Sequence, residues 1–438
     1  MMEKQNFLSL GIPGIILLLL TLTLPVFMAA NSVHGHGFGI YAQGAKAMGM
    51  GGTATAVADD PTAVYYNPAG LNDIQGTQAL IGVSYFPPRT GTFESAGTSG
   101  VPGAARGQTT DLEPSGHLAP FFHLTHKYSE KVSLGIGVYA PWGQSTEWPE
   151  DWEGRFTPGG IHAGLDSLRV QPVVSYALNK KLNLAGGVFL QTLNLETRQS
   201  VWAAPLGREF DLEVEGDEQG FGWTMGAILK PGDNLRLGAV YRSETRYELD
   251  AMRVDIAPEF PLMGITDTTG EMDFVTPAVF GAGIAATWER ITVAVDVLWT
   301  EWSVQDEYDL KFKDPLLGLT GIRTPKNWEN TFTYSIGVDY LPAKWLALRG
   351  GYIYDESPVP DETLDPTVFT GDSQLFCFGL GIKYDSIVFD FAYSHIVSGD
   401  RNFNNAQGSL PNPGGSRITG EFRDSTGQII TSSLRYAF

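Results

Sequence analysis

From Thr77 to its end, the chain alternates repeatedly between apolar residues and polar or small residues. A period of two is typical of β-strands with one buried face, because successive side chains of a strand point to opposite sides. In residues 291–299 every odd position is apolar, and in residues 332–340 every even position is aliphatic or aromatic. The pattern predicts fourteen strands, near residues 77–87, 116–127, 130–141, 165–178, 181–200, 218–230, 233–249, 273–289, 290–304, 329–341, 344–354, 372–384, 386–397 and 427–438.

The two faces of these strands favour a membrane protein over a soluble sandwich, which alternates as well. The polar face consists largely of Gly, Ser, Thr and single charges, and aromatic residues stand near the strand ends. The clearest apolar faces carry no charge, and a charge facing lipid at the membrane centre would cost ~2–4 kcal/mol. The sequence therefore predicts an all-β fold, a transmembrane antiparallel β-barrel of about 14 strands over residues 77–438.

The predicted connections alternate strictly between short turns and long polar loops, which a sandwich has no reason to do. Because six connections are short and seven are long, both termini lie on the short-turn side, which is the periplasm in bacterial barrels. The predicted long loops are residues 88–115, 142–164, 201–217, 250–272, 305–328, 355–371 and 398–426.

Three positions along the strands carry further expectations. Pro120 and Pro172 fall inside predicted strands, where the missing N–H predicts a bulge, an edge or a shifted register. Leu434, Tyr436 and Phe438 form an alternating apolar face that ends in an aromatic residue. This face resembles the terminal strand that the bacterial barrel-assembly machinery recognises, so that machinery is an expected partner through Phe438.

The first 30 residues are typical of a secretory signal peptide. They contain Lys4, an apolar stretch over residues 12–27 and a small-residue exit at Met28–Ala30. A membrane-anchoring helix is the alternative, but Pro13 and Pro25 interrupt the stretch. We expect a cleaved signal and a final location in the bacterial outer membrane, with outer-membrane lipid and lipopolysaccharide as neighbours.

Composition argues against several other classes of protein. The chain has 29 Lys and Arg against 49 Asp and Glu, a net charge of −20, and binding to nucleic acid requires a basic surface. Cys377 is the single cysteine, so no intramolecular disulfide and no cysteine-based zinc site can form. We expect no metal and no cofactor, and a monomer.

Residues 31–76 precede the first predicted strand and are too many for a simple tail. Fourteen strands leave an open lumen, because side chains fill the interior only of barrels of about eight strands. The segment is rich in Gly and Ala, contains Phe38 and Tyr41, and has expected short helices around residues 42–48 and 61–65. We predict that it forms a plug, or hatch, inside the barrel; a flexible periplasmic linker is the alternative.

Three stretches of this segment resemble the hatch of the FadL/TodX/OmpP1 family of outer-membrane transporters. They are GIYAQGAKAMGMGG (39–52), ADDP (58–61) and YNPAGL (66–71), and Asn67, Pro68 and Ala69 are the most specific part. The resemblance spans the mature chain and implies passive uptake of long-chain fatty acids or hydrocarbons, not catalysis. It also implies capture at extracellular loops, movement of the hatch N-terminus and lateral exit through a gap near the third strand.

The resemblance assigns ligand capture to the long loop 142–164, whose aromatic residues either line a hydrophobic groove or pack the loop against its neighbours. Arg155 meets a ligand carboxylate or pairs with Glu153 or Asp151. The wall gap is assigned to the third strand at Gly135 and Gly137, because glycine in a strand often marks a bulge. The candidate ligand-binding residues are Trp142, Trp148, Trp152, Arg155 and Phe156.

The charge of the ligand is left open by the sequence. By alternation, several arginines point into the lumen, where they bind a carboxylate or pair with acids such as Asp296, Asp339 and Asp390. Fatty-acid carriers of the family place a basic lumenal residue on the strand 181–200. The nearest position here is Asn194, and Arg198 follows on the same strand; this departure keeps neutral hydrocarbons as candidate ligands. The lumenal basic candidates are Arg169, Arg198, Arg236, Arg242, Arg349 and Arg435.

Two other functions compete with transport of hydrophobic compounds. A general porin or structural barrel lacks a packed N-terminal plug. A barrel hydrolase needs a nucleophile and a base, but the sequence has no Gly-x-Ser-x-Gly and no His-Glu-x-x-His motif. His117 and His123 share one face of a predicted strand without an evident acidic partner.

Overall fold

The computed structural model describes residues 37–99, 107–203, 207–263, 265–316, 318–404 and 417–438. The predicted signal peptide lies outside the described residues. Two short α-helices are present, α1 (Ala45–Gly49) and α2 (Ala63–Tyr66), and a 3₁₀ helix follows at Pro68–Asp73. No helix in these ranges is long and apolar enough to cross a membrane.

The described residues form the following β-strands: β1 (Thr77–Phe86), β2 (Thr90–Ser99), β3 (Thr109–Asp111), β4 (His117–Lys127), β5 (Val132–Tyr139), β6 (Gly143–Glu147), β7 (His162–Ala177), β8 (Leu182–Ala203), β9 (Arg208–Gly232), β10 (Leu235–Arg242), β11 (Thr245–Ala257), β12 (Thr268–Thr276), β13 (Val279–Trp288), β14 (Ile291–Thr300), β15 (Glu307–Leu316), β16 (Leu319–Pro325), β17 (Thr331–Ala343), β18 (Leu346–Asp355), β19 (Ser373–Tyr384), β20 (Ile387–Ser398), β21 (Arg401–Asn404) and β22 (Arg417–Ala437).

Fourteen of these strands form a closed antiparallel barrel, which confirms the predicted fold. The last strand pairs back with the first, from Gln78 opposite Ala437 to Tyr85 opposite Ile430. Outward apolar side chains such as Val295, Ile336 and Phe378 are exposed, as expected of a surface that faces lipid. The order around the barrel is β1, β4, β5, β7, β8, β9, β10, β13, β14, β17, β18, β19, β20 and β22.

Most of the predicted long loops are themselves folded as β-strands, which corrects the prediction. β8 and β9 continue together far beyond the barrel wall, and hairpins form from β11 with β12 and from β15 with β16. Short strands also occur between residues 88 and 115 and after residue 398. The outer faces of these hairpins are polar, so their composition resembles that of loops although their backbone is extended.

The two prolines lie where the β-ladder can accommodate them. Pro120 belongs to the part of β4 that pairs with β1 but has no partner in β5, which is the edge environment that proline requires. Pro172 lies where the pairing of β7 with β8 is interrupted, between Val170 and Val173. The register of the two strands is the same on both sides of this interruption. The structure thus shows an edge at Pro120 and no register shift at Pro172.

Residues 37–76, called the N-terminal segment below, lie inside the barrel and contact strands on several sides of it. The Oδ2 atom of Asp296 accepts a hydrogen bond from the Thr55 N–H at 2.8 Å, and the Ser84 hydroxyl donates to the Ala42 carbonyl at 2.6 Å. The side-chain amide of Asn67 donates to the carbonyls of Ala227 at 3.1 Å and Ala239 at 3.2 Å. The Asn-Pro-Ala triplet is therefore fixed between β9 and β10.

Inward-facing glycines of the wall make room for this segment. A Cβ atom at Gly337 would overlap the Met50 carbonyl oxygen, and one at Gly238 would overlap the Thr55 carbonyl oxygen. The glycine-rich polar face noted in the sequence is explained by this close approach of two backbones. The same overlap with the N-terminal segment would arise at Gly226, Gly351 and Gly379.

Gly351 and Gly350 are neighbours on β18 and provide a matched test of this packing. We expect Gly351→Val to displace the N-terminal segment, because its Cβ would overlap the backbone of Met50 and Gly51, and overpacking costs about 1–3 kcal/mol or more. The variant should conduct ions in planar bilayers and should melt at a lower temperature. Gly350→Val, whose Cβ meets no atom within 4 Å, should remain closed and stable. Equal conductance of the two variants would contradict the packing described here.

Candidate ligand cavity and wall interruption

An apolar cavity lies between the N-terminal segment and the long β-hairpins. It has about 980 Å³ of empty space, part of it open to solvent. Phe38 of the N-terminal segment forms part of its lining. Its apolar character comes mainly from inward side chains of β8, β9, β11 and β12, including Leu195, Leu212, Val214, Met252, Met272 and Phe274.

The strand alternation explains why these hairpins have an apolar interior. On β9, Phe210, Leu212 and Val214 are buried, while the intervening Asp211 and Glu213 lie on the opposite face. The sequence contains this signal inside the predicted loop 201–217, so a search for short alternating runs there would have found the cavity wall. Sequence reasoning missed it because the segment as a whole is polar.

The aromatic residues predicted to capture ligand are not among the described residues that line this cavity. Trp148 and Trp152 are stacked on each other, with ring centroids 4.5 Å apart, and they pack against Phe369 and Phe93 respectively. Phe156 is buried as well. These contacts agree with the packing alternative for the loop, and the cavity of the hairpins is a separate candidate site.

Arg155 and Trp142 also take positions that differ from the predicted groove. The Arg155 guanidinium forms an ion pair with Glu209 at 3.0 Å and donates to the carbonyl of Trp152 at 2.7 Å, so its partners are protein groups. Trp142 packs edge-on against Phe38, with ring centroids 5.7 Å apart. It therefore lies at the end of the N-terminal segment and not in an exposed loop.

A buried ion pair interrupts the apolar lining on one side. Lys326 lines the cavity, forms an ion pair with Asp365 and lies 4.7 Å from the ring centroid of Tyr308. Burial, with a further contribution from Asp365, raises the pKa of the Tyr308 phenol well above its ordinary value. Lys326 was not predicted, because a single lysine in a long connection has no distinguishing pattern.

The third barrel strand is interrupted beside this cavity. β4 pairs with β5 only from Phe122 to Lys127, although β4 itself begins at His117. Tyr139 pairs with Arg169 of β7, and Gly143 pairs with Asp166. The chain therefore has one more residue between Tyr139 and Gly143 than β7 has between their partners, which is a β-bulge, and Pro141 lies in it. Residues 140–142, which follow β5, therefore form no ladder with β4. The wall is interrupted at this point between the two strands.

The predicted position of the wall gap at Gly135 and Gly137 is wrong in detail. Both glycines are paired with β4 on one side and with β7 on the other, so the ladder is continuous there. A Cβ atom at either glycine would crowd Val64 of the N-terminal segment at about 3 Å or less. Their small size thus serves the packing of that segment, and the interruption begins after Tyr139.

The start of the N-terminal segment supplies hydrogen bonds to the interrupted stretch. The Ile40 N–H donates to the Pro141 carbonyl at 2.9 Å, and the Gly143 N–H donates to the Phe38 carbonyl at 2.8 Å. The Gln43 side-chain amide donates to the Ala140 carbonyl at 2.5 Å. Phe38 and its neighbours therefore contact both the apolar cavity and the wall interruption.

Of the six predicted lumenal arginines, two form ion pairs with acids of the barrel interior, two are buried beside the N-terminal segment and one faces outward. Arg349 pairs with Asp339 at 3.1 Å and Asp390 at 2.7 Å, as one predicted alternative stated, and Arg236 pairs with Asp73 of the N-terminal segment at 2.9 Å. Arg169 and Arg242 are buried and face the lumen, where Arg169 donates to the Gln191 side-chain oxygen at 2.8 Å and Arg242 donates to the Tyr65 carbonyl at 3.2 Å.

Arg198 does not face the lumen, which corrects the prediction. Its neighbour Gln199 is buried, so the Arg198 side chain points to the opposite, outer face of β8. There it forms ion pairs with Glu150 and Asp211, each at 2.8 Å. Asn194 lies on the same outer face, where Glu196, Glu213 and Glu215 bring carboxylate oxygens within 4.8 Å of one another. Partial burial and a hydrogen bond with Glu215 raise the pKa of Glu213. Exposed acidic groups of this kind are common, and we assign no metal to them.

A closed fourteen-stranded antiparallel barrel whose lumen holds an N-terminal segment defines a class of outer-membrane transport barrels. The chain belongs to the family described as outer membrane protein transport protein (OMPP1/FadL/TodX), whose model matches residues 26–438. Members of this family are transport proteins of the outer membrane and not enzymes.

Relatives and solved structures agree with this family. The chain is 26% identical to a protein of Neisseria meningitidis serogroup B whose name places it in the outer membrane, over 89% of this chain and 91% of that protein. It is 21% identical to a long-chain fatty acid transport protein of Escherichia coli O6:H1, over 78% and 82%. A FadL homologue of Pseudomonas aeruginosa has a TM-score of 0.79 with 21% identity, over 92% and 100%. The toluene transporter TodX of P. putida has a TM-score of 0.66 with 19% identity, over 92% and 99%.

Filling the apolar cavity tests whether it binds ligands. We expect Ala163→Trp, at a buried cavity-lining position of β7, to weaken binding of the neutral fluorophore N-phenyl-1-naphthylamine at least tenfold in lipid nanodiscs, because the indole occupies the space. Leu168→Trp, on the outward face of the same strand, serves as the control for background partitioning into lipid. Unchanged affinity of the first variant would mean that the cavity is not the binding site.

Proposed function

We propose that this protein carries hydrophobic small molecules passively from the cell exterior across the outer membrane. The ligand enters the apolar cavity, passes Phe38 and leaves sideways through the wall interruption between β4 and the β5–β6 junction. One observation carries the proposal: residues 38–43 contact the cavity and also hold the backbone of residues 140–143. The N-terminal segment acts in this account as a hatch.

The physical argument rests on the cost of exposing apolar groups to water. Burial of each CH₂ group contributes about 0.8 kcal/mol, so an oily ligand prefers the cavity or the membrane interior to periplasmic water. A lateral exit keeps the ligand out of water, and diffusion down a gradient needs no energy source. The names of the relatives support this ligand class, since one is a long-chain fatty acid transport protein and another structure is a toluene transporter.

The step that releases ligand is a movement of residues 38–43. Ligand in the cavity competes with the Phe38 ring for its contacts with Trp142, Trp302 and Phe274. Displacement of Phe38 breaks the hydrogen bonds that join Ile40 to Pro141 and Gly143 to Phe38. The stretch 140–142 then lies free beside the unpaired part of β4, and a passage to the lipid opens.

The orientation in the membrane follows from the turns. Both ends of the barrel, Thr77 and Phe438, lie together at the short-turn end, where the Phe438 N–H donates to the Thr77 carbonyl at 2.9 Å. We place this end in the periplasm, after cleavage of the signal peptide, and the hairpins with the cavity outside the cell. Assembly through Phe438, contact with lipopolysaccharide and a monomeric state complete the proposal.

A general porin is disfavoured by the packing of the lumen. The buried contacts of Asn67, Thr55 and Ala42 with the wall hold the N-terminal segment across the described part of the channel. A water-filled pore would offer an oily ligand no advantage over the surrounding water.

A reversible cross-link tests the release step. Gly39 and Trp142 form an antiparallel β-bridge, and the hydrogen bonds from Ile40 to Pro141 and from Gly143 to Phe38 flank it. In a pair of this kind the two opposed Cα atoms lie about 4.5 Å apart, so two cysteines at these positions can form a disulfide. We expect cells that carry Gly39→Cys with Trp142→Cys, and lack their own carrier, to lose uptake of radiolabelled dodecanoate and dodecane under oxidation.

Reduction of the same cells should restore uptake, so each variant is its own control. The single substitutions should not respond to the oxidant, because the buried Cys377 is the remaining cysteine. Full uptake with the cross-link formed would show that residues 38–43 do not gate the route.

A further inference from the structure

The register of β4 with β5 indicates how their ladder would continue if the wall were closed. Their last pair joins Phe122 to Val138. Extended by four residues along each strand, the same register places Leu118 opposite Trp142. A closed wall would therefore bring β4 beside the chain that precedes β6, with Leu118 and Trp142 as one rung of the ladder.

The direction of the backbone groups shows that this rung would be hydrogen-bonded. The Lys127 N–H donates to the Gly76 carbonyl, on the β1 side of β4, at 2.9 Å. Because successive residues of a strand direct their backbone groups to opposite neighbours, the even-numbered residues of β4 direct theirs to β5. In a continuous ladder, Leu118 and Trp142 would therefore exchange two N–H···O=C bonds.

Proline explains the loss of the rung before it. The same register places Pro120 opposite Ala140, and proline has no N–H to donate to the Ala140 carbonyl. The side-chain amide of Gln43 donates to this carbonyl in its place. The obstacle does not extend to the next rung, because Leu118 and Trp142 each have an N–H group. A second cause is therefore needed for the interruption at Trp142.

Ser167 of β7 binds both backbone groups that this rung would use. Its hydroxyl accepts a hydrogen bond from the Trp142 N–H at 3.0 Å and donates to the Trp142 carbonyl at 2.6 Å. The N-terminal segment bonds to the adjacent Pro141 and Gly143, so it does not compete for these two groups. In the bulge, the backbone groups of Trp142 are thus directed to β7 and not to β4.

The location and size of Ser167 fit this contact. It lies in the part of β7 that the bulge spans, between Asp166, the partner of Gly143, and Arg169, the partner of Tyr139. Its side chain is small and 8% exposed, which leaves room for the extra residue of the bulge but little access for water. A hydroxyl can donate and accept at once, so one side chain replaces both bonds of a rung.

We propose that Ser167 is a positioning residue that keeps the wall interruption open, because its hydroxyl holds both backbone groups of Trp142 away from Leu118. The inference rests on the proposed function, in which this interruption is the exit of the ligand. Without the hydroxyl, the Trp142 groups would be buried without partners, which is unfavourable. The rung with Leu118 satisfies them and closes the wall. When residues 38–43 move away during release, Ser167 still prevents this closure.

A pair of cysteines measures how often the two strands meet. Opposed Cα atoms of a hydrogen-bonded rung lie about 5.5 Å apart, a separation at which disulfides form. In lipid nanodiscs with a mild oxidant, we expect Leu118→Cys with Trp142→Cys to cross-link about fivefold to a hundredfold faster when Ser167→Ala is added, because two hydrogen bonds no longer oppose the rung. Ser167→Thr, which keeps a hydroxyl, should leave the rate close to that with serine.

Uptake and cavity binding together separate a positioning role from a structural one. In cells that lack their own carrier, Ser167→Ala should slow uptake of radiolabelled dodecanoate and dodecane about fivefold or more, since the exit closes. The purified variant should bind N-phenyl-1-naphthylamine with unchanged affinity, because the apolar cavity is not altered. Ser167→Thr should restore uptake.

Ser394→Ala is the matched control and should take up both probes as the wild type does. It removes a buried hydroxyl from β20, where Ser394 donates to the Cys377 Sγ at 3.2 Å. Unchanged cross-linking or unchanged uptake in Ser167→Ala would overturn the role of Ser167 and leave the transport function intact. Loss of cavity binding, or of heat-modifiable migration in gels, would show a merely structural role and overturn it too. Failure of the wild-type protein to take up either probe would instead contradict the proposed function.

Discussion

The width of a fourteen-stranded barrel is the constraint on which this structure depends. Side chains from the wall cannot fill such a lumen, so it either holds water or is occupied by a second layer of chain. The N-terminal segment occupies it by laying its backbone against the wall, and residues such as Gly337 and Gly238 permit this because a side chain there would overlap it. Asn67 and Asp296 then fix the segment by satisfying backbone groups that would otherwise be buried without partners.

The same segment joins two features that would otherwise be unrelated. Phe38 belongs to the aromatic lining at one end of the apolar cavity, and its carbonyl accepts the hydrogen bond of Gly143 at the wall interruption. A bulge with an unpaired neighbour would expose backbone polar groups to lipid, which membrane proteins avoid. Residues 38–43 supply hydrogen bonds to this defect, and the proposed release step links occupancy of the cavity to the state of the wall.

The barrel was predictable from the sequence because lipid outside and a packed lumen inside impose a strict two-residue period, as in residues 291–299. The count of fourteen strands and the short turns followed from it. The cavity does not follow from the same period, because the hairpins that form it have acidic outer faces and a composition that resembles that of loops. Gly135 and Gly137 were misassigned because glycine marks close packing as readily as a gap. The position of Arg198 was not predicted, because its assignment to the lumen came from the family's basic residue on this strand, and the face of β8 that carries Arg198 points outward here.

The most direct measurement is amide hydrogen exchange at Ile40 and Gly143 in lipid nanodiscs, with and without saturating dodecanoate. The account predicts slow exchange at both amides in the empty protein, and faster exchange at both when the cavity is occupied. The Thr55 N–H, which donates to Asp296, and the Tyr66 N–H, which donates to the Thr62 carbonyl, should stay protected in both states. Exchange at Ile40 and Gly143 that is insensitive to ligand, or a segment unprotected throughout, would contradict the account.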